Sequence, residues 1–435
     1  MEHLLHYVWK HRLFPLKEMV TTDGERVEVI DTGLHNTTTS GADFFNAKVK
    51  IDGKMWVGNV EIHTRSSDWY RHNHDKDEAY NNVVLHVVEN KDEEVVRQNG
   101  ERVPQLILPC PDNVRQNYKE LCYSDTYPCC HRVVPNIPRI KVTSWISTLQ
   151  TERLGKKAKE ILERLESRAG DWEETFFISL ARNFGFGINS DAFELWAKHI
   201  PYSAVAKHRD NLMQIEAIFF GVAGMLKEEK TTDSGYYESL RKEYLYLKHK
   251  FGIEKEVDNS IWKFMRLRPD NFPTIRIAQL VYLFHKNNHL FNKAIAIRDI
   301  AQVSELIKTS TSDFWKTHYT FDGKANDKTT EKRLSKNSID LIGINTISPF
   351  IYAYALHRND EEMATKATDL LESIKPEENH IIRSWINAQI SIETAADTQA
   401  IIQLQKEYCN KRKCLRCMFG YEYLKSENKV REEFV

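Results

Sequence analysis

Alternation of apolar and polar residues is clearest between residues 26 and 63. Arg26 to Asp31 sets Val27 and Val29 between charged residues, which predicts a strand. Phe44 to Lys50 and Lys54 to His63 then flank Asp52-Gly53, a hairpin signal because glycine accepts the positive φ of tight loops. A two-residue loop pairs Asp43 with Ile62 and sets Phe45, Ala47 and Val49 across from Val60, Gly58 and Trp56. A three-residue loop ending in a Gly53 bulge pairs Asp43 with Glu61 instead. Its shared face reads Phe45, Ala47, Val49, Met55 and Val57, with Lys48, Lys50 and Lys54 opposite. A slip of one residue exchanges the faces, so this cleaner division favours the second register. In it, Asp43, Glu61 and His63 project from one face at the open end of the hairpin.

The pattern changes along the chain. Val83 to Val88 is a continuous apolar run broken only by His86, predicting a buried central strand with His86 as a hydrogen-bonded core histidine. The stretch between His63 and Val83 is polar and aromatic and is expected to contain a helix. From about Val142 the reading is helical: Glu152 to Arg168 is a charged helix, and Asp171-Trp-Glu-Glu174 has the form of a capping box. Short helices follow to about residue 405, punctuated by prolines and without a fixed repeat. The predicted class is therefore an α+β N-terminal domain with a mixed sheet (1–140), a mostly α-helical domain (141–405) and a cysteine-containing C-terminal segment (406–435). The start, Met1 to Lys10, reads as an amphipathic helix rather than a signal peptide.

Composition narrows the classes. A chain of 435 residues implies two or three domains. With 61 Lys plus Arg against 62 Asp plus Glu, no global charge favours nucleic acid, so any such site is a local basic patch. The seven cysteines are too few and irregular for a disulfide framework, which points to a reducing cytoplasm. No apolar run reaches the ~18 residues of a membrane span, so no membrane association is expected.

Two carboxylates and a third polar group at one hairpin end suit a hard cation such as Mg²⁺ or Mn²⁺, which takes oxygen ligands and retains water for chemistry. The arrangement resembles the PD-(D/E)xK phosphodiesterase (nuclease) superfamily, with Ala42 at the motif's proline and His63 at its lysine. That resemblance implies a restriction-endonuclease-like sheet, Asp43 and Glu61 as metal ligands and the Ile62 carbonyl as a further one. It also places His63 where the residue that orients or deprotonates the attacking water sits. The next segment adds Asp68, His72, His74 and Asp77, with Arg65 and Arg71 as phosphate contacts and His72 or His74 as a metal ligand or a partner of one. A solvated helix face explains each of these residues singly.

Longer strings, Gly41-Ala-Asp-Phe-Phe-Asn-Ala, Trp56-Val-Gly-Asn-Val-Glu-Ile-His, Ser67-Asp-Trp-Tyr-Arg-His-Asn-His and Leu267-Arg-Pro-Asp-Asn-Phe-Pro among them, resemble an uncharacterised bacterial family of unknown function over nearly the whole chain. Asn183-Phe-Gly-Phe-Gly187 lacks a following Gly-Lys-Ser/Thr and is read as a turn, not a P-loop. Arg266, Arg268 and Arg276 around a helix start are either a phosphate site or, as favoured here, buried interhelical salt bridges.

Cys409-x4-Cys414-x2-Cys417 can place three sulfurs on Zn²⁺ or on an iron–sulfur cluster, with Cys122 or the Cys129-Cys130-His131 run supplying a fourth ligand. It is similar to PD-(D/E)xK nucleases that close the domain with such a cluster, although with reversed spacing. Three reduced cysteines without metal are the equal alternative. Lys406, Lys411, Arg412, Lys413 and Arg416 surround it, as a phosphate patch or as thiolate stabilisers. Two functions follow: a metal-dependent nuclease acting on DNA or RNA, or an inactive relative serving as a nucleic-acid-binding or protein-scaffolding module through the helical region. A Zn²⁺ hydrolase built on His63, His72 and His74 ranks below them.

Overall fold

The computed structural model describes residues 2–14, 19–37, 40–124, 127–227 and 235–426. The last residues of the expected C-terminal segment, 427–435, lie outside these. The chain forms two compact units. The first comprises the described residues up to Val142, Arg383–Ile390 and those from Leu404 onward; the second comprises Thr143–Ile382 and Ser391–Gln403.

The first unit is built on one mixed sheet. Its strands are β1 (Met19–Val20), β2 (Arg26–Asp31), β3 (Leu34–His35), β4 (Phe44–Ile51), β5 (Lys54–Arg65), β6 (Val83–Asn90) and β7 (Gln105–Ile107), and its helices α1 (Glu2–Lys10), α2 (Asp68–Arg71) and α3 (Asp112–Tyr123). The order is β1-β2-β4-β5-β6-β7, with β3 also paired to β4. Neighbours are antiparallel as far as β5, whereas β5, β6 and β7 run parallel. The predicted mixed sheet followed by a mostly helical region is thus what forms.

β6 is buried from Val83 through Val88, as its apolar run requires of a strand covered on both faces. A parallel pair cannot close through a tight turn. The β5–β6 crossover, residues 66–82, consequently folds as α2 and two 3₁₀ turns, His74–Lys76 and Glu78–Tyr80. That crossover carries two histidines toward β5.

The hairpin register differs from the one favoured above. Ile51 pairs with Lys54, Val49 with Trp56 and Ala47 with Gly58, so the loop is the two-residue Asp52-Gly53. Both residues have positive φ, 51° and 80°, the backbone of a hairpin turn whose twist matches its strands. Met55 and Val57, expected on the shared apolar face, are instead 51% and 60% exposed. A bulge then restores the alignment at the other end: between Ala47 and Phe44 the register shifts by one, around Asn46 with φ of 56°, so that Phe44 faces Val60. Asp43 reaches Glu61 by this second route. Gly33 (φ 85°) lies under the bulge, where a Cβ would stand 2.6 Å from the Phe45 carbonyl oxygen.

α1 packs on β5 and buries Leu4, Leu5, Val8 and Trp9, matching the amphipathic reading. Trp9 Nε1 donates to the Thr32 carbonyl at 3.1 Å. The C-terminal helix Met418–Lys425 docks on α3, where Asn117 Nδ2 donates to the carbonyls of Tyr423, Leu424 and Ser426 at 3.0, 3.2 and 2.9 Å. One buried amide thereby closes the helix's last carbonyls.

The second unit is helical. The helix α4 (Arg139–Ser167) enters it from Thr143 onward. Asp171 caps the next helix, Trp172–Phe184, by accepting from Glu174 N at 2.9 Å. Its core is aromatic, and the indoles of Trp196 and Trp262 donate to the carbonyls of Phe219 and Ala223, each at 2.9 Å. Of the expected turn Asn183 to Gly187, the first two residues close the helix Trp172–Phe184 and the turn itself begins at Gly185, with positive φ at Phe186 and Gly187. The favoured salt bridges around Arg276 do not form. Its guanidinium, 5% exposed, donates instead to Gln279 Oε1 (2.9 Å) and Asn271 Oδ1 (2.6 Å) and lies 4.5 Å from the centre of the Phe186 ring. Among the described residues one helical stretch, Lys336–Arg358, is long and apolar enough to cross a membrane, and 61% of its apolar window is buried within the fold.

Candidate metal centre

Beyond the Phe44–Val60 pair the hairpin ladder is continued by side chains. Glu61 Oε2 accepts from the Asp43 N–H at 3.0 Å, and Asp43 Oδ2 accepts from the Ile62 N–H at 2.9 Å. These reciprocal bonds fix both carboxylates at the mouth of the strands. Glu61 is 5% exposed, and no arginine or lysine pairs with it among the described residues. Burial and the neighbouring Asp43 charge raise its carboxyl far above the ordinary range.

Histidines complete the enclosure. His6 from α1 brings Nε2 to 3.3 Å from Asp43 Oδ2, and His74 from the crossover brings Nε2 to 3.2 Å from Glu61 Oε1. Both nitrogens are buried and each faces its carboxylate at ion-pair distance. Burial opposes charge on His6, but the hydrogen-bonding and charge of Asp43, with Glu2 and the Ile62 carbonyl adding to them, raise its pKa overall. His74 is stacked on Tyr80 at 3.8 Å between ring centroids, with Trp69 at its edge. Two carboxylates and two imidazoles thus converge in one buried place, oxygen and nitrogen donors of the kind that divalent cations take.

His63 lies at the centre of a chain of imidazoles. Its Nδ1 is 2.9 Å from His86 Nε2, its Nε2 is 3.1 Å from His72 Nδ1, and Glu61 Oε1 stands 3.5 Å away. Burial, then His86, His74 and His72, lower its pKa to about 2, so the ring is neutral. The position that the resemblance assigns to a lysine therefore carries a ligand-type imidazole. His63, His72 and His74 offer ligand atoms all within 4.8 Å of one another, beside Glu61. His86 is fully buried and hydrogen-bonded, as expected of it, and its partner is this site.

The remaining predicted residues spread outward. Arg71 pairs with Asp68 Oδ1 at 2.9 Å and keeps a 72% exposed side chain, while Asp68 Oδ2 accepts from the Arg65 N–H at 3.1 Å. Arg65 and Asp77 are exposed, and Asp77 caps the Glu78–Tyr80 turn. His6 and His35 also line an open groove of about 950 Å³, whose wall includes Lys10, Lys411, Lys413 and Arg416. His6, absent from the sequence-based site, could have been flagged only as a histidine on the amphipathic helix. Cys409, Cys414 and Cys417 gather with Cys129 and Cys130 elsewhere in the unit, whereas Cys122 is exposed.

No curated protein and no solved structure matches the chain. One family does, over residues 2–380, a span that includes every residue of the carboxylate and imidazole site and ends before Cys409. The chain belongs to that family, DUF2851, described as a protein of unknown function.

Proposed function

We propose that the first unit is a divalent-metal-dependent nuclease, hydrolysing phosphodiester bonds of DNA or RNA on a restriction-endonuclease-like core of the PD-(D/E)xK kind. The observation that carries this reading is the pair of carboxylates, Asp43 and Glu61, locked by reciprocal backbone bonds at the open end of the hairpin and faced by the buried nitrogens of His6 and His74. Asp43, Glu61, the Ile62 carbonyl and His6 would hold Mg²⁺ or Mn²⁺, with His74, His72 and His63 on the far side of Glu61. Such an ion supplies Lewis-acid activation of water and of the phosphate oxygens.

The chain's own residues do the rest. The Ile62 N–H and His6 orient Asp43, and His74, clamped by Tyr80 and Trp69, orients Glu61. Lys10, Lys411, Lys413 and Arg416 along the groove supply sequence-independent attraction for a phosphate backbone. Arg65 and Arg71, exposed beyond the site, are further phosphate contacts.

A second reading, a nucleic-acid-binding module without catalysis, rests on His63. Both of its ring nitrogens face other imidazoles, which leaves it no free nitrogen to take a proton from water.

Labelled single- and double-stranded DNA and RNA, incubated with Mg²⁺ or Mn²⁺, separate the two. Glu61→Gln keeps an oxygen for the Asp43 N–H and removes the carboxyl that ionises on binding a cation. Cleavage by the parent and none by this variant is the expected result. Tight binding without cleavage on every substrate would replace the nuclease by the binding module.

A further inference from the structure

We propose that Cys130, Cys409, Cys414 and Cys417 hold a thiolate-bound metal centre, a zinc ion or an iron–sulfur cluster, separate from the carboxylate site. Five of the chain's seven cysteines, these four and Cys129, wall one small cavity. They come from opposite ends of the sequence: Cys129 and Cys130 from the turn after α3, the other three from a stretch near the C-terminus. None is in a disulfide.

The backbone is shaped to bring them together. Leu404–Cys409 is a π-helical turn that ends on the first sulfur, Cys414–Arg416 is a 3₁₀ turn that begins on the second, and the third, Cys417, precedes the Met418–Lys425 helix. π-turns are rare and mark functional positions more often than ordinary helix does. Gly420 admits the close approach, since a Cβ there would stand 2.0 Å from the Cys414 carbonyl oxygen. Leu121, Tyr127 and Trp385 complete the cavity wall with apolar surface.

Several buried sulfur groups facing one another are a poor apolar core and a good soft-metal ligand set. On binding, each coordinating thiol releases its proton to solvent and donates a sulfur lone pair to the metal. Arg412 Nη1 donates to Cys129 Sγ at 3.1 Å and to the Leu121 carbonyl at 3.1 Å, so this guanidinium secures the early cysteines rather than a phosphate.

The same loop has a second face. Lys411, Lys413 and Arg416, interleaved with the sulfur ligands, are exposed and line the groove that reaches His6. A metal held by the inner residues therefore fixes the positions of the outer ones.

The full chain, purified without oxygen, is tested by assay of zinc, iron and acid-labile sulfide per polypeptide, for the parent and for C414S, C417S and C122S. Stoichiometric zinc, or iron with matching sulfide and visible absorption, lost in C414S and C417S and kept in C122S, is the expected result. Protein that carries no metal and takes up neither zinc nor iron with sulfide overturns the proposal, as does metal that survives both C414S and C417S. Should those variants not fold, the parent is stripped with a chelator and re-loaded. Faster tryptic cleavage after Lys411, Lys413 and Arg416 on stripping, reversed on re-loading, supports the centre, and unchanged cleavage contradicts it.

Discussion

Both units bury charged and polar side chains, and the two differ in what faces the charged ones. In the helical unit three buried charged groups are met by fixed neighbours. Arg276 is taken up by two amide oxygens and the face of Phe186, and the buried Glu216 accepts from Ser312 Oγ at 2.6 Å. Lys332, 3% exposed, lies 3.4 Å from Asp270 and 3.7 Å from the centre of the Tyr319 ring. In the sheet unit, Glu61 has no Lys or Arg counterion among the described residues, and the groups that face it and Asp43 are the buried imidazoles of His74 and His6, at 3.2 and 3.3 Å. A buried cation met by fixed amide oxygens, a carboxylate or an aromatic face serves architecture, whereas buried carboxylates met by imidazoles keep donor atoms suited to a ligand. That contrast is the reason the proposed chemistry is assigned to the sheet unit.

The comparison can be broken at several points, taken here from the largest effect down. Glu61→Gln should lower metal-dependent cleavage by about 10³-fold, comparable to losing a principal electrostatic group of an active site, while Glu216→Gln should leave cleavage unchanged. Equal losses in both would erase the distinction between the units.

Glu216→Gln should act on stability instead. Burial raises the Glu216 carboxyl from 4.5 to about 7, despite hydrogen bonds from Ser312 and Tyr236 that oppose the rise. The folded state therefore favours the protonated form. That contribution is complete below pH 4.5, declines as the unfolded chain ionises first, and is gone above about pH 7. The parent should lose about 3 kcal/mol of unfolding free energy across that window relative to the glutamine variant. Urea titrations at pH 4.5 and pH 8 measure it, and parallel curves for the two proteins would contradict it.

Removal of an orienting histidine is a smaller change. His86→Phe takes away the partner of His63 Nδ1 and should weaken metal binding or activity by roughly 10 to 100-fold. Calorimetric titration with Mn²⁺ checks this, and unaltered affinity would reduce His86 to a packing residue. Smallest of all, Lys413→Ala should weaken nucleic-acid binding uniformly across sequences and lower the salt-dependence slope by about one. Fluorescence anisotropy at several salt concentrations reads that slope, and a sequence-dependent loss would argue against a backbone contact.

Much of the sheet unit was legible from local pattern. The apolar run of β6 and the Asp52-Gly53 turn follow from short-range rules, whereas Asp43 meets Glu61 through a bulge and not through the three-residue loop from which that pairing was expected. The register did not follow, because an eight-residue strand can correct a one-residue loop difference with a bulge, and nothing in Phe45-Asn46 announces one. His6 escaped notice for another reason: its role depends on α1 docking against β5, a tertiary event that periodicity cannot encode. Around Arg276 the error was one of partner type. The expectation named carboxylates, whereas amide oxygens and an aromatic face also satisfy a buried guanidinium. The cysteines sit between these cases, since the late spacing was visible and only the fold brings Cys129 and Cys130 to it.

The central claim is that the convergent carboxylates and imidazoles of the sheet unit form a divalent-cation site. Mn²⁺ binding followed by electron paramagnetic resonance on the parent, Asp43→Asn, Glu61→Gln and Glu216→Gln tests it directly. The account predicts bound Mn²⁺ in the parent and in Glu216→Gln, and its loss in both hairpin variants. Absence of bound Mn²⁺ in the parent, or binding that ignores Asp43 and Glu61, would contradict it.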